Sequence, residues 1–261
     1  MCLISIKDKN VPLQKEFFKS IARSYSLRNK DGAGYALLRN GAKEVVFKKG
    51  FFRLNDLIKS IKEEKVQLED ILVVHLRKVS AGKKIAVNMH PFVMSHKEEE
   101  LMLTGGTTKK GVLFHNGTFS SFNNFNSIFS DTYHFVRLFA GYKFFTEWIK
   151  DLCKSPKSLD KINIGVSNRI VILHPRKGLV VAHKSNFYED MNGYIYSNLT
   201  FTKAATKQAQ LNMTDVYTEK YNGYANNHSH SPAQWKGGKH RHSYFNYATN
   251  KWEDHSDGFA D

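Results

Sequence analysis

The 261-residue chain contains only two cysteines, Cys2 and Cys153, and only five prolines. One possible bridge excludes a disulfide-stapled scaffold and any four-cysteine zinc module. No apolar run reaches the roughly 18 residues that a membrane-crossing helix needs, and no apolar leader core opens the chain. The expectation is therefore a soluble cytoplasmic protein with no membrane partner. Acidic residues are also scarce, 24 against 39 lysines and arginines, which leaves a net charge of +15. From Lys203 to Asp261 seven basic residues meet six acidic ones, so +14 of that charge lies in residues 1–202. Such a field favours polyanionic partners and makes any nucleic-acid association salt-dependent. Scattered solvated lysines in a lysine-rich composition are the other reading, and helix-turn-helix, zinc-finger and ribonucleoprotein signatures are all absent.

What is present suffices for one sizeable core. Hydrophobic residues make up 41% of the chain, and its length approaches the ~250–300 residues at which single cores stop growing. The reading is a main domain over residues 1–205 and a polar extension over 206–261. Within the extension, 221–261 is rich in Asn, His, Gly, Ser, Tyr and Trp, so it is expected to be extended or poorly ordered unless it docks. Its histidines, His228, His230, His240, His242 and His255, include His-x-His pairs able to bind a divalent metal. Its aromatics, Tyr244, Phe245, Tyr247 and Trp252, suit a docking peptide equally well.

Periodicity places the elements coarsely. Leu3-Ile4-Ser5-Ile6 begins as a strand, and Pro12 to Arg28 carries apolar residues at helical spacing at Leu13, Phe17, Ile21 and Tyr25. Strand-like runs follow at Gly34 to Arg39 and Glu44 to Lys48. Asn55 is a candidate cap for a helix from Asp56 to Lys65 whose apolar residues are Leu57, Ile58 and Ile61. Tyr142 to Leu152 reads as a helix. Asn168 to Leu173 and Gly178 to His183 read as a hairpin, and Tyr194 to Thr200 as a further strand.

Cys2 is the most informative residue. If Met1 is removed, one residue holds both a thiol, with a free pKa near ~8.5, and an α-amine near ~7.7–8.0 that can take the thiol's proton. The competing reading is a small buried residue opening a strand. Four further segments follow in order. Asp31-Gly32-Ala33-Gly34 is a turn feeding a strand. Ile71 to Gly82 is a buried strand that runs out into Arg77, Lys78, Val79 and Ser80. Asn88-Met89-His90-Pro91-Phe92 precedes Gly111-Val112-Leu113-Phe114-His115-Asn116-Gly117. Ser130-Asp131-Thr132 introduces Tyr133 to Phe139, with Ser130 or Asp131 as a helix cap. Taken singly, Arg77 is a strand-end cation, Asp131 a cap and Asn116-Gly117 a type I′ turn.

Together and in this order, these motifs resemble the class II glutamine amidotransferase domain, a branch of the N-terminal-nucleophile hydrolases. The match runs over residues 2 to about 200 and includes Gly193-Tyr194-Ile195-Tyr196-Ser197-Asn198. It departs from the family pattern at Lys78, Val79 and Ser80, where relatives often have an aromatic, an alanine and a threonine. The resemblance implies an α/β (α+β) fold, a four-layer αββα sandwich. It implies Cys2 as nucleophile on the γ-amide of glutamine, proceeding through a γ-glutamyl thioester with release of ammonia. Asn116 and Gly117 would form the oxyanion hole, and Arg77, Ser80, Asp131, Asp31 and Gly32 the substrate site. A guanidinium suits the α-carboxylate, and Asp131 the α-ammonium. No metal or cofactor is required. The 206–261 extension is too short and polar to bind an acceptor, so ammonia would pass to a separate synthetase or transferase subunit, plausibly one with a nucleotide or nucleic-acid-linked acceptor. A stand-alone amidohydrolase and a non-catalytic basic binding protein on the same fold are the alternatives.

Overall fold

The computed structural model describes residues 2–123, 126–140, 168–182 and 184–205, with the backbone of 242–246 and 251–255. The helix expected from Tyr142 to Leu152 and the second cysteine, Cys153, lie outside the described residues. The chain separates into two compact units, Met1–Met213 and Thr214–Asp261.

The first unit is a mixed α/β structure with two antiparallel sheets. The larger one contains β1 (Leu3–Lys7), β2 (Ala33–Leu38), β3 (Val45–Phe51), β4 (Ile71–Leu76), β6 (Gly105–Thr108), β10 (Tyr188–Glu189) and β11 (Ile195–Tyr196). Their spatial order is β10-β11-β1-β4-β2-β3-β6. The smaller sheet has the order β5-β7-β8-β9, from β5 (Phe92–Val93), β7 (Val112–Asn116), β8 (Arg169–His174) and β9 (Gly178–Val181).

Side-chain alternation along these strands sorts the core into three layers. Leu3, Tyr35, Leu37, Leu72 and Val74 face helices α1 (Lys15–Leu27) and α2 (Leu54–Glu63). Ile4, Ile6, Ala36, Val73, Phe114 and Val171 meet between the sheets. Leu113, Ile170 and Ile172 pack in one cluster with Leu101 of the short helix α3 (Glu98–Leu101) and with Phe135 and Val136 of α4 (Asp131–Phe139). Helices thus cover the outer face of each sheet. The larger sheet takes α1 through Phe17, Ser20, Ile21 and Ser24, one helical face at i, i+3, i+4, i+7 spacing.

Four local expectations are corrected. Helix α1 starts at Lys15 rather than Pro12. Asn55 lies inside α2, whose N-cap is Arg53 with no side-chain cap bond. The strand expected over Glu44 to Lys48 extends to Phe51. The strand expected over Tyr194 to Thr200 reduces to Ile195–Tyr196, because Asn198 accepts the Thr200 N–H and caps a short 3-10 turn, Leu199–Phe201. A local side-chain bond there replaces the ladder.

In the second unit, β12 (His242–Asn246) and β13 (Lys251–His255) pair as an antiparallel hairpin, with His242 opposite His255.

Candidate active site

Strand register explains why residues distant in sequence meet. β1 and β4 pair with Leu3 opposite Leu76 and Ile4 opposite His75. Carrying this register one residue outward sets Cys2 beside Arg77. Cys2 shares the face of Ile4, and Arg77 the face of His75, so both project between the sheets at one end. β2 flanks β4 from the other side with Ala33 opposite Leu76. Its continuation is anchored by the Arg77 N–H donating to the Gly32 carbonyl (2.7 Å) and the Asp31 N–H donating to the Arg77 carbonyl (3.1 Å). Gly34 is required by close approach: a Cβ there would overlap the His90 carbonyl and lie 2.7 Å from Lys49 Cβ.

From the smaller sheet, β7 delivers His115, Asn116 and Gly117. Gly117 has φ +153°, a region open to glycine and costly to other residues. A side chain at that position would also collide with Asn168. β7 pairs with β5 and β8 and leads onward into the loop ahead of α4, so Asn116-Gly117 does not join two paired strands as the type I′ reading required. Ser130 caps α4 by accepting the Tyr133 N–H at 3.2 Å. Its own N–H donates to Asn88 Oδ1 (3.0 Å), while the Asn88 amide donates to the carbonyls of Lys83 (2.9 Å) and Ile128 (2.7 Å). Asn88 therefore ties the loop after β4 to the start of α4.

These elements enclose a cleft lined by Cys2, Arg77, Ser80, Gly117 and Asp131, with Lys78, His90, His115 and Thr132 completing the wall. Five of the eight site residues expected from sequence are thus brought together. The other three lie behind the wall. Asn116 is fully buried and donates from Nδ2 to Ser197 Oγ (2.8 Å). Asp31 accepts the Val79 N–H (2.9 Å) and pairs with Lys84 (3.3 Å), and Gly32 packs on Met89. The free volume of the cleft is about 20 Å³, room for about one water.

The thiol of Cys2 donates to the Lys78 carbonyl (3.4 Å), and the Lys78 N–H donates to Sγ (3.3 Å). Burial pushes the thiol pKa up, against the opposing pull of that N–H and of the Arg77 charge. Cys2 is accordingly a thiol that needs a base. His115 does not supply one. Burial lowers its pKa, and both ring nitrogens are engaged, with Thr132 Oγ1 (2.9 Å) and Asn168 Oδ1 (2.8 Å). The amide oxygen of Asn168 can only accept, so Nε2 carries the proton and Nδ1 is an acceptor, sharing the one Thr132 hydroxyl hydrogen with Asp131 Oδ1 at 3.5 Å.

Arg77 donates to the Ala81 carbonyl (2.8 Å) and the Lys83 carbonyl (3.0 Å), which leaves three of its five N–H bonds for other acceptors. Burial draws its pKa down, opposed by Cys2, Asp31 and Asp131. Asp131 Oδ2 accepts the Phe119 N–H at 2.7 Å, fastening the segment after Gly117 to the helix that follows it. Asp31 is held below the usual carboxylate range: burial works against ionisation, but the Val79 N–H and Lys84 outweigh it.

Beside His115, His90 lines the cleft and His75 lies against it outside the lining. His75 donates from Nε2 to the His115 carbonyl (3.1 Å), packs against His90 with ring centres 4.1 Å apart and planes tilted by 41°, and has its pKa pushed down to about 3 by burial. Among the described residues His75 Nδ1 and both ring nitrogens of His90 have no hydrogen-bond partner. Sequence reasoning assigned no site role to Asn88, His90, Thr132, Ser197 or Asn198, although each stood inside a segment it singled out. For Asn168 no sequence signal existed beyond a strand start.

No helix among the described residues is long and apolar enough to cross a membrane. No cluster of three or more His, Cys, Asp or Glu among them is placed to hold a metal ion. No protein-family model and no curated protein matches this chain. A search of solved structures finds similarity to an allosteric regulatory enzyme of purine biosynthesis, with a TM-score of 0.46 and 16% identity, over 75% of this chain and 41% of that one. The chain therefore spans about two-fifths of the length of that protein.

Proposed function

We propose that this chain is a glutaminase module on a sandwich of the N-terminal-nucleophile hydrolase type, releasing ammonia from glutamine for a separate acceptor-binding subunit. The observation that carries the reading is the register that sets Cys2 beside Arg77 in a cleft shared with Gly117 and Asp131. One wall then offers a nucleophile, a cation and a carboxylate, the complement of an amino acid with a scissile side-chain amide.

The steps follow from these positions. Removal of Met1 exposes the α-amine of Cys2, which takes the proton that burial otherwise retains on the thiol. Sulfur attacks the γ-carboxamide carbon, and the developing oxyanion is met by the Gly117 N–H and the Asn116 amide. Collapse expels ammonia after the amine returns the proton, leaving a γ-glutamyl thioester. Water then cleaves the thioester to glutamate and restores the thiol. Arg77 binds the α-carboxylate through its remaining N–H bonds and Asp131 the α-ammonium. A cleft with room for one water must widen for glutamine to enter, and the Lys78–Lys84 side is the segment that borders it.

The test combines intact mass with glutamine-dependent ammonia release, on wild type and Cys2→Ala, before and after a glutamine-like electrophile. Loss of Met1, one adduct on Cys2 and release abolished by the substitution support the reading. Release from many amides with no preference for glutamine shifts it to a stand-alone amidohydrolase. Retained Met1 with neither adduct nor hydrolysis leaves a basic binding protein.

A further inference from the structure

The segment Tyr196-Ser197-Asn198 has no role in the mechanism above, yet it touches both the nucleophile strand and the oxyanion residue. Ser197 is fully buried and lies across from Ile4, whose carbonyl accepts the Ser197 N–H at 3.0 Å. Ser197 Oγ accepts from the Ile4 N–H (2.8 Å) and from Asn116 Nδ2 (2.8 Å). Its own hydrogen finds no acceptor among the described residues, and Asn116 Oδ1, equally buried, finds no donor. Next to it, Asn198 accepts from Thr200 N (3.0 Å) and Thr200 Oγ1 (2.6 Å) through Oδ1, which fixes its amide so that Nδ2 donates to the Cys2 carbonyl (2.5 Å).

One rotation pairs the Ser197 hydrogen with Asn116 Oδ1 and moves the vacancy to the amide nitrogen. An amide's oxygen and nitrogen are nearly isosteric, and their assignment follows the hydrogen-bond network. With the Asn116 amide turned by half a circle, the Ser197 hydroxyl donates to Oδ1 and still accepts from Ile4. Both Asn116 N–H bonds are then released from Ser197, at the residue adjoining Gly117 in the cleft wall. The turned amide leaves its N–H groups, rather than its oxygen, without a protein partner, and a developing oxyanion is an acceptor that would meet them.

We propose that Ser197 and Asn198 form a two-point clamp for the reaction: Asn198 holds the Cys2 carbonyl, and Ser197, donating to Asn116 Oδ1, presents the Asn116 N–H as oxyanion donor. Ser197 is a positioning residue, since it acts on the tetrahedral oxygen only through Asn116. This inference rests on the glutaminase reading, with one arm of its test independent of activity.

The kinetic arm measures glutamine hydrolysis by the full chain as wild type, Ser197→Ala, Ser197→Thr, Asn116→Ala and the Ser197→Ala/Asn116→Ala double variant. Ser197→Ala is expected to lower kcat about ten- to a hundredfold with KM within about twofold, part of the loss from removing the donor outright. Ser197→Thr keeps the hydroxyl and is expected to recover most of kcat. In the Asn116→Ala background Ser197→Ala is expected to add nothing, because the two act in series. An unchanged kcat in Ser197→Ala, or losses that multiply in the double variant, overturns the clamp.

The structural arm is neutron diffraction from deuterated wild-type crystals. It is expected to place the Ser197 hydroxyl deuteron on the line to Asn116 Oδ1; an Asn116 amide deuteron on the line to Ser197 Oγ overturns the proposal. If the wild type hydrolyses no glutamine, the functional reading fails and the catalytic role of the clamp with it, while the neutron result still decides the hydrogen-bond assignment.

Discussion

The two ends of strand β1 bury polar groups in opposite ways. At the C-terminal end the fully buried Lys7 ammonium donates to three carbonyls, those of Gln67 (2.8 Å), Leu68 (2.5 Å) and Asp70 (2.6 Å). The adjacent Asp70 carboxylate accepts from Asn40 N (3.0 Å), Gln67 N (2.9 Å) and Arg39 (3.4 Å). At the N-terminal end, among the described residues, His75 Nδ1, both nitrogens of His90 and one end of the Asn116 amide are buried without partners. The first end is what stability alone produces, since unpaired buried groups cost about 1–3 kcal/mol each. The second keeps unpaired groups next to Cys2, where an incoming ligand or a water can use them. The contrast separates a structural polar cluster from a candidate site without reference to any motif.

The largest effect expected from breaking this contrast is at Cys2. Cys2→Ala is expected to reduce ammonia release to background with the fold intact, read by coupled glutamate detection alongside circular dichroism. Activity surviving in that variant would detach the reaction from this end of the strand.

Next comes Asn116. Asn116→Ala is expected to lower kcat by about a hundred- to a thousandfold, the cost of one oxyanion donor, with steady-state kinetics as the check. A rise confined to KM would assign Asn116 to binding instead.

At the opposite end the expected loss is in stability. Lys7→Met takes the donor from three carbonyls, of which that of Asp70 is buried, and is expected to cost about 1–3 kcal/mol, measured as a shift in urea midpoint. The kcat per folded molecule should not change, and a fall there would join the two ends into one functional unit.

The smallest effect sharpens the comparison through pH. Burial lowers the pKa of His75, His90 and His115. Their unfolded counterparts titrate near ~6.5, so below that pH the unfolded chain binds more protons and stability falls as pH falls. Each contributes a slope of at most about 1.4 kcal/mol per pH unit, and the more exposed His134 and His174 act in the same direction. Lys7 is also lowered by burial, but from a lysine's range, so its linkage falls at alkaline pH, where stability rises with pH. His90→Phe is expected to flatten the acid slope in urea titrations between pH 7.5 and 5, because no hydrogen bond is lost with the ring. An unchanged slope would mean that His90 is hydrated and titrates freely.

Much of this architecture is legible in the amino-acid order because it is local. The buried runs at Ile71–Leu76 and Val112–Asn116, and the Arg169–His174 and Gly178–Val181 hairpin, announce themselves by apolar alternation and turn residues. Strand β6 does not: in Gly-Gly-Thr-Thr the two glycines disfavour a strand and the segment is too short for alternation to show, so its pairing with β3 is what reveals it. At the site, the motifs name the residues around the cleft, but not which atoms face which. Asn168 meets His115 from 53 positions away and Ser197 meets Asn116 from 81. Such partners are chosen by sheet packing, which no window of sequence contains. The cap at Ser130 was readable as a local choice between neighbours, and Ser130 takes it.

The pairing of Arg77 with Asp131 in one wall has a consequence for how a ligand arrives. The chain as a whole carries +15, and the cleft wall holds Arg77 and Asp131 as one charge of each sign, with Lys78 adding a second positive charge. A zwitterion with no net charge gains no long-range acceleration from the surrounding lysines and is sorted only on contact, where each of its charges meets one partner. Diffusional capture of such a ligand should therefore be nearly indifferent to ionic strength, while a polyanion drawn by the same surface would be drawn to the lysines around the cleft rather than into it.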